Sequence, residues 1–262
     1  MSRTKSFFSI LIFAGMICIS GSAFGATPES QGLDEALEKG LKAYDAVRDY
    51  KAVFQKQERS GDALGPQETI FLKFEKPFKI FMGWLNTNKK GLQVLYERGK
   101  RDGKLAIHKP GLLLGLAPVI FLEQSSPWVR EGSASYDIED AGIGTFLEDF
   151  AQAVTRAEKE ERLDVKTGEE GSFDVTFKDS TEGSGYFAYR VIVHFDRISG
   201  LPDTMQLFDW NNKLTGIYAY EQLKLNVGAE DLEFKQLALG KLYRLYLPAA
   251  KPAATKNFAS GH

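Results

Sequence analysis

Few residues in this sequence combine the types and spacings that catalysis or metal binding requires. The three histidines are His108, His194 and His262, and none has a histidine or cysteine partner at a spacing typical of a metal site. The only cysteine is Cys18, and the chain contains no G-x-S-x-G elbow, P-loop, EF-hand loop or G-x-G-x-x-G turn. We therefore predict that the protein is not an enzyme and that it uses no metal and no cofactor.

The charge balance of the chain argues against nucleic acid as a partner. The 262 residues include 33 Lys and Arg and 35 Asp and Glu, for a formal net charge of −2, whereas nucleic-acid binding usually needs a basic surface. Hydrophobic residues make up 43% of the chain, so a sizeable core can form. An aromatic content of 12% favours β-strands over a disordered chain.

The first 25 residues have the features of a secretory signal peptide. A basic N-terminus precedes the apolar stretch Phe7–Ile19, which is short for a membrane span, and Ala23 and Gly25 occupy the two small-residue positions of a cleavage site. Cys18 follows an isoleucine rather than a small residue, so we do not predict a lipoprotein. We expect cleavage after Gly25 and a periplasmic protein; an uncleaved N-terminal anchor is the alternative.

Alternating apolar residues form the strongest pattern in the chain. Within Thr69–Trp84 and Phe187–Phe195, large apolar residues recur at every second position of the predicted strands, and charged residues such as Lys79 and Arg190 lie between them. Such a face suits either a filled core or the wall of a cavity for acyl chains, because both have the same periodicity. The ten residues that we expect to line a concave, lipid-binding face are Ile70, Leu72, Phe74, Phe78, Ile80, Met82, Trp84, Tyr189, Val191 and Val193.

A second apolar feature lies in the middle of the chain. The run Leu112–Leu122 is apolar on all sides, is interrupted by Gly115 and Pro118, and is too short to cross a membrane. Surface loops are normally polar, so this run could fold over the mouth of a cavity, or it could be a buried connecting helix. The residues that we assign to the lid on the first hypothesis are Leu112, Leu113, Leu114, Leu116 and Phe121.

Two helices and two runs of short strands must position these apolar residues. Leu33–Val47 and Ile143–Val154 repeat apolar residues at three- and four-residue steps, which predicts amphipathic helices. Alternating segments within 50–108 and 173–225 are separated by tight turns, which predicts two antiparallel meanders. The expected fold class is α+β, with one strongly curved antiparallel sheet and helices on one of its faces.

Several segments of the chain are similar to those of a known family. Phe54–Arg59, followed by Ile70–Ile80 with its Lys-Pro pair before an aromatic strand, resembles the start of the domain of the LolA-like superfamily of lipoprotein carriers. Asp140–Gly144, at the start of the second helix, is similar to a family of exported bacterial LolA-like proteins. The resemblance covers residues 33–160 well and the rest of the chain weakly.

This resemblance implies an unclosed half-barrel whose helices cover the concave face and whose hollow holds acyl chains. It implies a single domain over residues 26–247, and the composition of residues 248–262 predicts a disordered tail. It also implies a monomeric periplasmic carrier of lipids or lipoproteins, which exchanges cargo with donor or acceptor proteins of the inner or outer membrane. The chain departs from the superfamily at Lys79, where the carriers place an arginine that latches the helical lid. A non-catalytic envelope interaction module with a filled core is the alternative.

Overall fold

A computed structural model of the protein describes residues 27–109, 119–126 and 138–228. Three predictions from the sequence lie outside these residues: the signal peptide at 1–25, the tail at 248–262, and most of the lid. The lid residues concerned are Leu112, Leu113, Leu114 and Leu116.

Two amphipathic helices are present in the described part of the chain, α1 (Pro28–Asp45) and α2 (Ile143–Lys159). Helix α1 begins with a proline in its first turn, and the Thr27 hydroxyl accepts a hydrogen bond from the Ser30 backbone N–H at 3.3 Å. Each helix buries one apolar stripe, as the sequence periodicity predicts. Neither helix is long and apolar enough to cross a membrane.

All described strands belong to one antiparallel sheet, built from two meanders. The first meander contains β1 (Asp49–Ser60), β2 (Ala63–Leu64), β3 (Glu68–Glu75), β4 (Lys79–Trp84), β5 (Gln93–Glu97), β6 (Leu105–His108) and β7 (Val119–Leu122). The second contains β8 (Leu163–Thr167), β9 (Ser172–Phe177), β10 (Arg190–Phe195), β11 (Pro202–Phe208) and β12 (Leu214–Leu225).

The two meanders are joined at the centre of the sheet by their longest strands. The strand order is β7-β6-β5-β4-β3-β1-β12-β11-β10-β9-β8, with the short β2 paired to β1. Strands β1 and β12 pair along their length, and Phe54 lies opposite Tyr220. Because β7 and β8 lie at opposite ends of this order, the sheet is not closed. The prediction of an α+β fold with one unclosed, curved antiparallel sheet is confirmed.

Both helices pack on the same face of the sheet. Leu33 of α1, Leu147 of α2 and Ile80 of β4 belong to one apolar cluster, which we call the helix-side core. Each of these three side chains is completely inaccessible to solvent. This arrangement is the one that the LolA-like resemblance implies.

The opposite face, which we call the outer face, carries a smaller buried cluster that the sequence pattern did not predict. Phe81, Leu95 and Ala106 form it, so β4, β5 and β6 are buried on both faces. Lys73 on β3 is also buried on this face, where burial and, secondarily, the Lys51 ammonium lower its pKa to about 8.

Candidate functional site

Nine of the ten residues predicted to bind lipid come together in the helix-side core. They lie on β3, on β4 and the residue before it, and on β10, and none is more than 8% exposed. These nine residues are Ile70, Leu72, Phe74, Phe78, Ile80, Met82, Trp84, Val191 and Val193.

The structure does not bring Tyr189 into this cluster. Strand β10 begins only at Arg190, so the alternation that places Val191 and Val193 inward does not extend to Tyr189. Ala188 takes the buried position and Tyr189 is half-buried. A lipid contact by Tyr189 remains a prediction from the sequence.

Side chains of the two helices complete the helix-side core. Leu33 and Leu37 extend from α1, and Leu147, Phe150 and Val154 extend from α2. All five are buried, and Phe150 is completely inaccessible to solvent. In this conformation the helices themselves therefore cover the apolar face of the sheet.

An aromatic row runs across this face at the centre of the sheet. Phe74 stacks on Tyr50 at a centroid distance of 5.0 Å and meets Phe78 edge-on at 5.3 Å. Phe78 in turn contacts Tyr96 at 5.9 Å. Offset and edge-on aromatic pairs add stabilisation beyond that of the apolar area that they bury. The row therefore helps to hold these side chains in fixed positions on the helix side of the sheet.

The start of α2 is fixed by tyrosines that the sequence analysis did not single out. The Ile143 backbone N–H donates to the Tyr50 hydroxyl at 3.2 Å, which satisfies one of the free N–H groups at a helix start. Gly142 has a φ of 129°, a backbone conformation that favours glycine. Gly144 lies against the Tyr44 ring of α1, where a larger residue has no room. The Asp140–Gly144 motif is thus explained by the docking of α2.

Burial keeps these tyrosines in their neutral form. It raises the pKa of Tyr44 to about 12, with the Glu148 carboxylate as a secondary cause, and it raises the pKa of Tyr50 well above its ordinary value. A neutral hydroxyl can accept a hydrogen bond from α2 and donate another, so the docking of the helix start persists across the physiological pH range.

A carboxylate just before α2 ties the helix to β5. The Tyr96 hydroxyl donates to Glu139 Oε1, and Arg98 Nη2 donates to Glu139 Oε2 at 3.0 Å. The Arg98 guanidinium also lies 4.9 Å from the centroid of the Phe78 ring. The hydrogen bond from Tyr96 and, secondarily, the hydrogen bond and the charge of Arg98 lower the pKa of Glu139, while burial opposes them. Lys79, which occupies the latch position by resemblance, instead contacts Glu75 at 3.6 Å.

We expect the contacts of Glu139 to stabilise the fold in a pH-dependent manner. Because folding lowers the pKa of Glu139, its contribution is complete above the ordinary carboxyl pKa of about 4.3 and is lost as the pH falls through the folded-state value. Glu139→Gln should therefore reduce the free energy of unfolding by about 1 kcal/mol at pH 7, a modest figure because Arg98 is 53% exposed. Thermal unfolding followed from pH 7 to pH 3 measures the difference.

The matched control for this prediction is Glu97→Gln. Glu97 lies next to Tyr96 on β5, and its contact with Arg101 is longer, at 3.9 Å, so its replacement should change the stability little. A difference between Glu139→Gln and the native protein that stays constant down to pH 3 would contradict the assigned role of the Glu139 carboxylate.

An ion pair between Glu68 and Lys89 lies at the edge of the helix-side core, next to Trp84. The Trp84 indole N–H donates to Glu68 Oε2 at 2.8 Å, and the Lys89 ammonium pairs with the other oxygen of the same carboxylate. Glu68 is only 6% exposed. This network fixes the orientation of the Trp84 ring at the edge of the apolar face.

Phe121 is the one lid residue that lies within the described part of the chain. It belongs to β7, which pairs with β6, and it lies opposite Ala106 on the outer face. Its side chain is 55% exposed. Residues 119–122 are therefore a strand of the sheet, and Phe121 lies on the face away from the helix-side core. Its role in a lid remains a prediction without structural support.

The described residues define a class of protein: an α+β fold in which an unclosed antiparallel sheet and two amphipathic helices enclose apolar side chains. Among these residues, no group of three or more His, Cys, Asp or Glu side chains is arranged to hold a metal ion. The chain belongs to the family described as protein of unknown function DUF1571, whose model matches residues 47–245. No curated protein matches the sequence significantly.

Solved structures similar to this chain have low sequence identity to it. A DUF1329 family protein from Desulfovibrio piger is 14% identical with a TM-score of 0.40, covering 82% of this chain and 100% of its own. A LolA superfamily protein from Nitrosomonas europaea is 10% identical with a TM-score of 0.37, covering 77% and 96%. The Mycobacterium tuberculosis lipoprotein LppX is 9% identical with a TM-score of 0.39, covering 76% and 98%.

Proposed function

We propose that the protein is a non-catalytic binding or carrier protein for lipids or lipoprotein acyl chains in the bacterial envelope. One observation supports this most directly: the helix side of both meanders is a continuous apolar and aromatic surface. The buried polar side chains Lys73, Gln93 and His108 lie on strand positions that face the outer side, whereas the buried Glu68 binds the Trp84 indole at the edge of the helix side. A site that is predominantly apolar suits a hydrocarbon chain and offers little to a polar substrate.

Binding of an acyl chain requires at least one helix to move away from the apolar face of the sheet. The side chains of α1 and α2 already cover the apolar face, so a ligand would replace their contacts with its own. Each buried CH₂ group contributes about 0.8 kcal/mol, so a long chain can offset the apolar contacts that a helix loses. On this proposal, α2 moves outward on loading, and the Glu139 and Tyr50 contacts at its start determine how readily it does so.

The cellular location that we propose rests on the predicted signal peptide. A signal peptide cleaved after Gly25 would deliver the protein to the periplasm of a Gram-negative cell. We expect it to be a monomer there. There the protein would receive its cargo from an inner-membrane donor or lipid surface and give it to an outer-membrane acceptor. The process that we propose for the protein is therefore transport in outer-membrane biogenesis.

Native mass spectrometry of the protein purified from its own host tests this proposal. We expect bound species heavier by the mass of a lipid, which dissociate on activation and leave a chain that begins at Ala26. Delipidated protein should then bind a fluorescent fatty acid saturably, and unlabelled lipid should compete. Protein without bound lipid and without saturable probe binding would contradict the proposal.

A filled-core interaction module is the second candidate function, and one observation favours it. Ile70, Leu72 and Ile80 are completely inaccessible to solvent in the helix-covered conformation. Hydrogen exchange of α2 with and without lipid separates the two functions. A carrier should show altered protection of α2 on loading, whereas an interaction module should show the same protection in both states.

A further inference from the structure

A small cavity lies on the outer face, away from the proposed lipid site. It has a volume of about 10 Å³ and is bounded by adjacent positions on β4 to β7. The lining residues are Phe81, Gln93, Leu95, Ala106, His108 and Val119. The strand register places Gln93 directly opposite His108 and Leu95 opposite Ala106, so the cavity spans the β5–β6 pair.

Two buried polar atoms at this cavity have no hydrogen-bond partner. They are Gln93 Oε1 and His108 Nδ1, on side chains that are only 3% and 8% exposed. An unpaired polar atom in an apolar environment costs free energy, and native proteins normally satisfy such atoms with protein groups or ordered water. The remaining lining side chains are hydrocarbon and provide no partner.

The size of the cavity determines what can satisfy both atoms. A cavity of about 10 Å³ holds a single water molecule, and larger polar ligands such as acetate or sulfate do not fit. Water can donate to Gln93 Oε1 and can either donate to or accept from His108 Nδ1, so it pairs with both imidazole tautomers.

We propose that the β5–β6 pair holds one structural water between Gln93 and His108 on the outer face. This water bridges two neighbouring strands through their side chains and satisfies both unpaired atoms at once. It also explains how the outer-face cluster accommodates two buried polar side chains. The site is independent of the lipid site, which lies on the opposite face of the same strands.

A crystal structure at about 1.5 Å resolution tests the proposal. We expect density for one water within about 3.2 Å of both Gln93 Oε1 and His108 Nδ1. In the variant Gln93→Met, which keeps the shape of the side chain but removes its acceptor, the water should be lost. The nitrogen chemical shifts of His108 should change at the same time, because its Nδ1 loses its partner.

Thermal unfolding of the same variant is the second measurement. Gln93→Met should lower the Tm by about 2 °C or more, since it leaves His108 Nδ1 unpaired. The control is Gln206→Met, the same change at a half-buried position on β11, which should have little effect. A direct Gln93–His108 hydrogen bond with no water, or a water that persists unchanged in Gln93→Met, would overturn the proposal.

Discussion

Replacing Ile80 by glutamate is expected to unfold much of the protein at room temperature. Ile80, the second residue of β4, is completely inaccessible to solvent and lies between Phe74 and Tyr96 on the neighbouring strands. An unpaired carboxylate there costs several kcal/mol, which is a large part of the 5–15 kcal/mol that stabilises a typical domain. Circular dichroism and chemical denaturation measure this loss directly.

The matched control is Ile192→Glu on β10. Ile192 lies between the inward-facing Val191 and Val193, but its own side chain is half-buried on the other face of the strand. The same chemical change at this position should leave the circular dichroism native and should reduce the stability far less. Because the two variants share residue types, their difference isolates burial on the helix side.

The outcome of Ile80→Glu also shows whether the proposed lipid site is an open cavity or a filled core. If the variant keeps a native spectrum and loses only fatty-acid binding, the interior has room to hydrate a carboxylate, and an open cavity replaces the filled core. If it unfolds, the unloaded protein is closed by its own helices. Carrier activity would then require α2 to move, which is the movement that hydrogen exchange detects.

The sequence pattern was sufficient to predict the inward face of several strands. On β3 and β10 one face is buried and the other is in part accessible, so the apolar residues alternate with period two. Ile70, Leu72 and Val193 could therefore be assigned to the interior from their positions in this alternation alone. The same argument predicted the two helices, because each buries a single stripe.

The pattern failed where a strand is buried on both faces or lies at an edge. By its alternation Phe81 lies on the face of β4 opposite the predicted lipid-binding residues, together with Lys79, yet it is only 2% exposed, because it packs in the outer-face cluster. Strand β8 was missed, since its residues are half-buried or exposed at one end of the sheet and give only a weak alternation. An alternating pattern arises only when the two faces of a strand differ in solvent exposure, and in β4 and β8 that difference is small.

The contacts that hold α2 could not be predicted from spacing. Glu139 and Arg98 are 41 residues apart, and Tyr50 and Ile143 are 93 residues apart. These pairs exist because the meander brings β1 and β5 to the same end of the helix. The Asp140–Gly144 motif was noticed by resemblance, but its physical reason, a close approach to Tyr44 and Tyr50, depends on the tertiary structure.

Gly144→Ala is expected to destabilise the protein by about 2 kcal/mol, although alanine is the better helix former. Within a helix, alanine normally gains up to about 1 kcal/mol over glycine. At Gly144 the added methyl group would overlap the Tyr44 ring of α1, which is itself buried. Inserting atoms into a packed site typically costs about 1–3 kcal/mol, so overlap outweighs propensity. Urea denaturation gives the sign and the size of the change.

Two comparisons make this prediction specific to the contact between α1 and α2. Gly32→Ala, also within a helix, should stabilise the protein, because the nearest atom to its added Cβ is Phe173 Cε1 at an ordinary 3.7 Å. In a Tyr44→Ala background, where the ring is gone, Gly144→Ala should become neutral or stabilising. If Gly144→Ala stabilises the otherwise native protein, that result would contradict the close contact between Gly144 and the Tyr44 ring. If it destabilises only while Tyr44 is present, the start of α2 is held by that ring, and the double variant should take up the fatty-acid probe faster.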